Sequence, residues 1–371
     1  MKILMVTMFP PPVTGSSLAS KMLADGLCRK HKVKKLDMII NTSFGNLSEQ
    51  GSISLVKLAK SVFKTFFFTT RTLFGEKFDI AYITPGQTVM GYLKFVPIMW
   101  AARFRSIPYV IHIHGAYFRN MLNNANGWKK EAIENSVKKS SGAIVLGDSL
   151  RSMFKEILPE EKIFTCPNGV EEDFFSTEEE ILKKTKRWRN DDTIRIVYLS
   201  NLMESKGILD LFESIRILKR CRTKVHLDVA GAIEPDIQDR VKDFLKELES
   251  EVRYHGILEG EEKKRLLQRN YLFCLPSKHP FGEGQPLSIL EAMANGCGII
   301  ATNIGGITEI FDRSYGFVVE RGNPEDLAKT IIKVWGKNDI PSSSWNQAKK
   351  LFSANQFLER IEKAFQQIAS P

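Results

Sequence analysis

Two α/β domains in series, each a parallel sheet with helices on both faces, are what the sequence predicts. Three observations carry this. Short apolar runs alternate with longer helical patterns through both halves, as in successive βαβ units. At 371 residues the chain suits two domains of roughly 100–200 residues each. The turn Pro167-Asn168-Gly169-Val170 opens an acidic, polar stretch to Asp192, after which the strand pattern restarts. We therefore divide the chain into domains at 1–170 and 171–345, with a C-terminal helical segment, 346–371, packing back on the first domain.

The first half begins with a strand over residues 2–7. Its loop, FPPPVTG, ends at Gly15, and Ser16 or Ser17 can cap the helix that follows to about Arg29. A helix N-terminus beside a strand end offers backbone amides to an anion, although a plain βα turn has the same pattern. Val33 to Ile40 is the second strand. Residues 56–74 follow, with Lys57, Lys60, Lys64 and Arg71, no acid, and a run of phenylalanines. That spacing fits either an amphipathic helix docking on an anionic membrane face or a core-facing helix with a basic edge. Then come a strand (78–84), a helix (89–105) with a kink at Pro97 and a strand (109–113). The last of these ends in HIHG, whose His112 and His114 point to one face by alternation. A helix (128–140), a strand (143–146), a helix capped by Asp148 or Ser149 and running to about Ile157, and a strand (162–166) close this half.

The second half runs strand (195–199), Ser205-Lys206-Gly207, helix (208–220), strand (224–230), helix (about 235–250), strand (252–254) and helix (261–269). A strand (271–275) then enters PSKHPFGEGQPLSILEAMANG, residues 276–296. Pro286 suits a helix start and Gly296 a stop. A buried strand (298–301), the turn Gly305-Gly306, a short strand after Gly316 and the helix 324–335 complete the unit. Helical patterns over 342–369 break near Ser353-Ala354-Asn355.

Composition sets limits. The formal charge of +10 is uneven: residues 1–165 carry 23 Lys and Arg against 11 Asp and Glu, and the remainder 30 against 32. A basic first half implies an anionic partner there. The five cysteines form no CxxC pair, which reads as reduced, mostly buried thiols. No apolar run approaches the ~20 residues of a membrane span, and Met1-Lys2 leads straight into a strand rather than a signal segment. From these features we expect a cytoplasmic protein, peripheral on the inner face of the plasma membrane.

In α/β folds ligands bind outside the carboxyl ends of strands. The candidates on such loops are Gly15, His114, Lys206, Glu283, the amides of Gln285 to Ser288, and Glu291. Each also has an ordinary structural reading: a solvated lysine, a core histidine, a carboxylate at a helix N-terminus. Lys206 beside helix amides suits a diphosphate. Glu291 is the one charge on an apolar helix and can accept hydrogen bonds from hydroxyls. No HExxH, EF-hand, Asp-x-Asp, GxSxG or GxxxxGK pattern occurs, so no metal is expected.

EGQPLSILEAMANG, with Glu283 and Glu291 separated by seven residues, resembles the Glu-x7-Glu motif of family 4 retaining glycosyltransferases, enzymes of GT-B fold in surface-polysaccharide biosynthesis. The likeness extends to Gly15, His114-Gly115, the Pro167–Phe174 signature, Lys206-Gly207, Gly305-Gly306 and Glu309. It implies two Rossmann-like domains facing across a cleft, acceptor-binding first and nucleotide-sugar-binding second. It implies transfer from a UDP- or GDP-linked sugar with retention, without metal or cofactor. Glu291 would hold the ribose, Glu283 the donor sugar, and Lys206 the diphosphate, with Gly284, Gln285, Pro286, Leu287 and Ser288 around it and the backbone amides of that loop as donors. The roles are those of a loop, so Pro286 contributes shape rather than an N–H. His114 would line the reacting centre, and Gly15 would admit the diphosphate. The expected acceptor is a polyprenyl-diphosphate-linked glycan, with no nucleic acid bound. One position departs: many members carry Arg in a GRL triplet before the lysine, where this chain has Ser200-Asn201-Leu202. Alternatives on the same residues are a nucleotide-sugar 2-epimerase and a non-catalytic binder of anionic ligands.

Overall fold

In the computed structural model, residues 1–39, 55–336 and 339–369 are described. The chain folds as two compact units, Met1–Gly169 with Ala354–Pro371, and Val170–Ser353.

The first unit holds a six-stranded sheet in the order β2-β1-β3-β4-β5-β6. The strands are β1 (Lys2–Thr7), β2 (Lys32–Asp37), β3 (Ile80–Ile83), β4 (Tyr109–His112), β5 (Gly142–Val145) and β6 (Ile163–Thr165). Every pairing is parallel. The central strands are buried throughout, as expected of apolar runs covered on both faces. On one face lies the helix Gly15–Leu27 beside the C-terminal helix Ala354–Ala369, whose Phe357, Ile361 and Phe365 join Leu23 and Leu27 in a shared core.

The second unit has the order β12-β11-β10-β7-β8-β9, again all parallel. Its strands are β7 (Ile194–Leu199), β8 (Val225–Ala230), β9 (Val252–Tyr254), β10 (Leu272–Leu275), β11 (Gly298–Thr302) and β12 (Gly316–Val319). Two six-stranded parallel sheets, each layered with helices, are the GT-B architecture.

Several local expectations change. Thr14, rather than Ser16 or Ser17, caps the first helix: its side chain accepts from Ser17 N, and Ser17 Oγ accepts from Thr14 N at 2.9 Å. Gly15 is thus the first helical residue, not the end of a loop. The helix expected over 89–105 is two, Val89–Leu93 and Val96–Phe104. Pro97 lies in the first turn of the second, where its missing N–H costs nothing. The helix expected from Asp148 is a 3-10 turn, Asp148–Phe154. Asp148 does not cap it; its carboxylate accepts instead from Thr165 Oγ1 at 2.6 Å. The segment expected over 346–371 is divided. Ile340–Leu351 is grouped with the second unit and Ala354–Ala369 with the first. Ile40, the expected end of the second strand, the Lys57 side chain and residues 370–371 lie outside the described residues. Among the described residues no helix is long and apolar enough to cross a membrane.

Candidate functional site

The second sheet places β7 beside β10, two strands that are not consecutive. Chain order reverses there, and the crevice outside the carboxyl ends at such a switch point is where open α/β sheets bind ligands. The loop after β7 carries Lys206; the loop after β10 carries Glu283. The two loops are joined by backbone: Lys278 N donates to Ser205 O at 2.8 Å. Gly207, at φ +75°, lies so close to Pro276 that a Cβ would fall 1.9 Å from its carbonyl oxygen. A third loop, after β11, closes on the same point. Gly306 N donates to Glu283 O at 3.0 Å, and a Cβ on Gly305 (φ +55°) would stand 1.9 Å from that oxygen. Only glycine meets both demands.

This packing brings Lys206 and Glu283 together. Lys206 Nζ donates to Glu283 Oε1 at 2.6 Å and Oε2 at 2.8 Å. Ser277 Oγ donates to Oε1 at 2.8 Å. Glu283 is 9% exposed and Ser277 fully buried, so the carboxylate is held by charge-assisted bonds in a mostly dry setting, where they are strongest. An ammonium has three protons; two are directed at Glu283, leaving one for a ligand. Ser277 has no signal in the sequence although it adjoins Pro276, because a lone serine carries no pattern. Nor does Lys278: it pairs with Asp210 at 3.2 Å, and Arg321 Nη2 holds its carbonyl at 2.8 Å.

Pro286 is the N-cap of the helix Leu287–Ala294, which has no side-chain cap. Its first-turn amides at Leu287 and Ser288 therefore belong to an uncapped N-terminus, attractive to an anion. Gln285 is buried. Gly284 precedes it in the loop that Gly282, at φ +83°, turns. Glu291 projects from the same helix and accepts from Lys263 Nζ at 2.6 Å. Asn201 has an exposed side chain, while its carbonyl accepts from the buried Tyr198 hydroxyl at 2.9 Å.

In the first unit, chain order reverses between β1 and β3, so the loops after these strands flank that sheet's own switch point. Gly15 opens the helix after β1. Gln87, after β3, accepts from Tyr117 N at 2.8 Å and lies within 2.2 Å of where a Gly115 Cβ would be. It thus seats the loop that follows β4 and carries His114. The rings of His112 and His114 stack at 4.0 Å, and His112 Nδ1 meets the Tyr82 hydroxyl at 2.7 Å. Burial pulls the His114 pKa down to about 4, with the nearby Asn168 side chain acting the other way. Burial, then the His114 neighbour, holds that of His112 well below the usual imidazole value. Both imidazoles are neutral at pH 7.

The helix Leu55–Phe74 presents its aromatic residues outward. Phe63, Phe66 and Phe74 are 72%, 65% and 85% exposed, while Phe68 packs on the core and Thr72 is buried. The neighbouring helix Val96–Phe104 adds exposed Trp100 and Phe104. Among the described residues no group of three or more His, Cys, Asp or Glu is arranged to hold a metal ion.

Comparison with known proteins accords with this geometry. Residues 179–351 match the family model for glycosyl transferases group 1. An uncharacterized glycosyltransferase of Methanocaldococcus jannaschii is 27% identical, over 91% of this chain and 90% of its own. The Escherichia coli UDP-Gal:alpha-D-GlcNAc-diphosphoundecaprenol alpha-1,3-galactosyltransferase is 24% identical, over 84% and 79%. Among solved structures, HepE of Anabaena in complex with UDP superposes with a TM-score of 0.72 at 20% identity, covering 99% of this chain and all of that one. Sucrose-phosphate synthase of Thermosynechococcus elongatus gives the same score of 0.72 at 14%, covering 99% and 98%. The structural likenesses carry the GT-B fold alone; the family model, over less than half of the chain, and the relatives support a glycosyltransferase.

Proposed function

We propose that this chain moves a sugar from a nucleoside diphosphate sugar to a glycan hydroxyl, with retention of configuration and without a metal. The observation that carries the reading is the Lys206–Glu283 pair at the switch point of the second sheet. It sets a cation for a diphosphate beside a carboxylate for sugar hydroxyls. Lys206 and the uncapped amides at Leu287 and Ser288 stabilise negative charge as the diphosphate leaves. The bond from the anomeric carbon to the diphosphate oxygen breaks. The acceptor hydroxyl bonds to that carbon on the same face, and the departing oxygen takes the hydroxyl proton. Glu283 holds the donor sugar and Glu291 the ribose. Gly15 keeps the donor-binding role and His114 the role at the reacting centre that the resemblance implies. His114, neutral, can offer a hydrogen bond but not a charge. The UDP bound by HepE favours a uridine donor.

The acceptor is lipid-linked, at an anionic membrane face in the cytoplasm. Two features support this: the exposed aromatic side of Leu55–Phe74, where described basic residues include Lys60 and Arg71 and no acid occurs, and the diphosphoundecaprenol acceptor in the E. coli relative's name. Aromatic insertion combined with about 1 kcal/mol per basic residue is how such a surface binds.

The test is a panel of UDP- and GDP-sugars with and without a polyprenyl-diphosphate glycan, in buffer containing EDTA. Acceptor-dependent transfer giving the donor's anomeric configuration is expected. Epimer release without acceptor, binding without turnover, or inversion overturns the reading. Sedimentation with anionic vesicles tests the membrane claim, and no binding removes it.

A further inference from the structure

We infer that Lys263 is a positioning residue for donor recognition, holding Glu291 ready for the nucleotide ribose; this rests on the ribose assignment proposed above for Glu291. Lys263 lies on the helix Gly260–Arg269, a different element from the loops that carry Lys206 and Glu283. Its Nζ is 2.6 Å from Glu291 Oε1, and both side chains are largely buried, at 16% and 13% exposed. That bond to Oε1 is the one side-chain hydrogen bond Glu291 makes among the described residues. Its second oxygen therefore keeps its accepting capacity for a ligand.

The lysine is held in turn. Its ammonium lies 5.0 Å from the centre of the Phe174 ring, within range of a cation–π attraction. The Phe174 carbonyl accepts from Asn295 Nδ2 at 3.2 Å, and the same amide donates to Glu291 O at 2.9 Å. Asn295 is itself buried and accepts from Ser176 Oγ at 2.9 Å. Next along the helix, Lys264 Nζ reaches Asp173 O at 2.6 Å. One closed set of contacts thus ties the turn Glu172–Phe174, the helix Gly260–Arg269 and the helix Leu287–Ala294 around a single carboxylate.

The chemistry of the ligand explains the arrangement. A ribose presents two neighbouring hydroxyls as donors, and an ionised carboxylate accepts both. A carboxylate with no cation beside it would be costly to keep charged in this setting. Lys263 supplies the charge, fixes one oxygen and leaves the other directed to the ligand. A 2′-deoxyribose offers one donor fewer, so it gains less from a prepared acceptor.

The experiment is calorimetric titration of UDP and 2′-deoxy-UDP, with GDP and 2′-deoxy-GDP alongside, into wild type, Lys263→Met, Lys263→Arg and Glu291→Gln. Wild type is expected to prefer the ribo form of its nucleotide by about 10-fold, and Glu291→Gln to lose that preference. Lys263→Met weakens the ribo form by about 10-fold and leaves the deoxy form nearly unchanged, while Lys263→Arg restores most of the loss. With a nucleotide sugar, Lys263→Met raises donor KM by a similar factor with kcat nearly constant, the mark of binding lost equally in ground and transition states. If Glu291→Gln loses the preference but Lys263→Met keeps it, the inference fails and the donor reading stands. If Glu291→Gln keeps the preference, or no nucleotide binds wild type, the ribose assignment fails and the inference falls with it. Equal weakening of both forms by Lys263→Met, without rescue by arginine, makes the residue merely structural and also overturns the inference. Should Lys263→Met not fold, Lys263→Gln takes its place under the same outcomes.

Discussion

The two sheets end in opposite kinds of chemistry. At the carboxyl ends of the second sheet the notable groups are charged and paired: Lys206 with Glu283, Lys263 with Glu291, Lys278 with Asp210. At the corresponding end of the first sheet they are neutral: two stacked imidazoles held uncharged by burial, and a glutamine that seats a loop. A fixed charge of either sign is useful where a diphosphate and its sugar must be gripped. A neutral donor or acceptor is useful where a hydroxyl must approach without a competing ion. The contrast gives each unit its own vulnerability, and four experiments sharpen or break it.

The largest effect belongs to the charged pair. Glu283→Gln removes the anion that holds Lys206 and replaces one of its two acceptor oxygens with an N–H donor. We expect kcat to fall by about 10²–10³, the usual cost of losing a preorganised electrostatic group. Steady-state assay with the cognate donor reads it, and near-normal kcat breaks the site assignment.

Next come the glycines that let the loops meet. Gly207→Ala places a Cβ 1.9 Å from Pro276 O at φ +75°, so the loops must part. A drop of several degrees in Tm is expected, from strain of about 1–3 kcal/mol or more. Gly127, in the first unit, also has positive φ (+53°) but nothing within 4 Å of its Cβ position. Gly127→Ala should cost only the backbone term, about 1–2 kcal/mol. Equal losses at the two sites would show that loop contact is not what matters at Gly207.

The third experiment is acid titration. The His114 pKa is lowered from 6.5 to about 4, so the unfolded chain binds its proton first as pH falls. Stability is full above 6.5 and declines as pH falls through about 4; His112 adds to this in the same direction. In the second unit Asp228 behaves differently. Burial alone would raise its pKa, but hydrogen bonds from His226, Asn270, His255 and Arg269 outweigh that and lower it. Its contribution is present above the unfolded value of 3.8 and is lost only below it. Hydrogen exchange followed by mass spectrometry at pH 7, 5 and 4 should show the first unit loosening before the second. His114→Asn should delay it.

The smallest effect on stability is expected at the exposed aromatics. Phe66→Ser and Phe104→Ser should shift Tm little, within about 0.5 kcal/mol, because neither side chain is buried. Both should reduce sedimentation with anionic vesicles. A large Tm loss would place these rings in the core after all.

Much of the fold was legible in the sequence because parallel strands buried on both faces are plain apolar runs. Ile80–Ile83 and Leu272–Leu275 are of this kind. What misled was local chemistry with a distant partner. Asp148 looks like a helix cap, but Thr165 takes its carboxylate. The stretch before Asp192 reads as an acidic, polar boundary, yet it forms the helix Glu178–Asn190 and its Lys184 is buried. Its Nζ donates to the carbonyls of Leu267 and Asn295 and lies 3.3 Å from Cys297 Sγ. Its partners are 83 to 113 residues away, and no pattern within the helix announces them.

The candidate site shows the same division. Residue types and spacing determined that Lys206-Gly207, Glu283 and Gly305-Gly306 would sit on strand-end loops, with Glu291 on the helix after Glu283, because hydrophobic periodicity places the strands and glycine and proline end them. Tertiary structure alone decided that Lys206 grips Glu283, that Ser277 supports it and that Lys263 stands beside Glu291. It also decided that the phenylalanines of Leu55–Phe74 face outward. Those outcomes depend on which strand lies beside which, and on the approach of backbones at Gly207 and Gly305. Pairing between elements tens of residues apart leaves no local period to read.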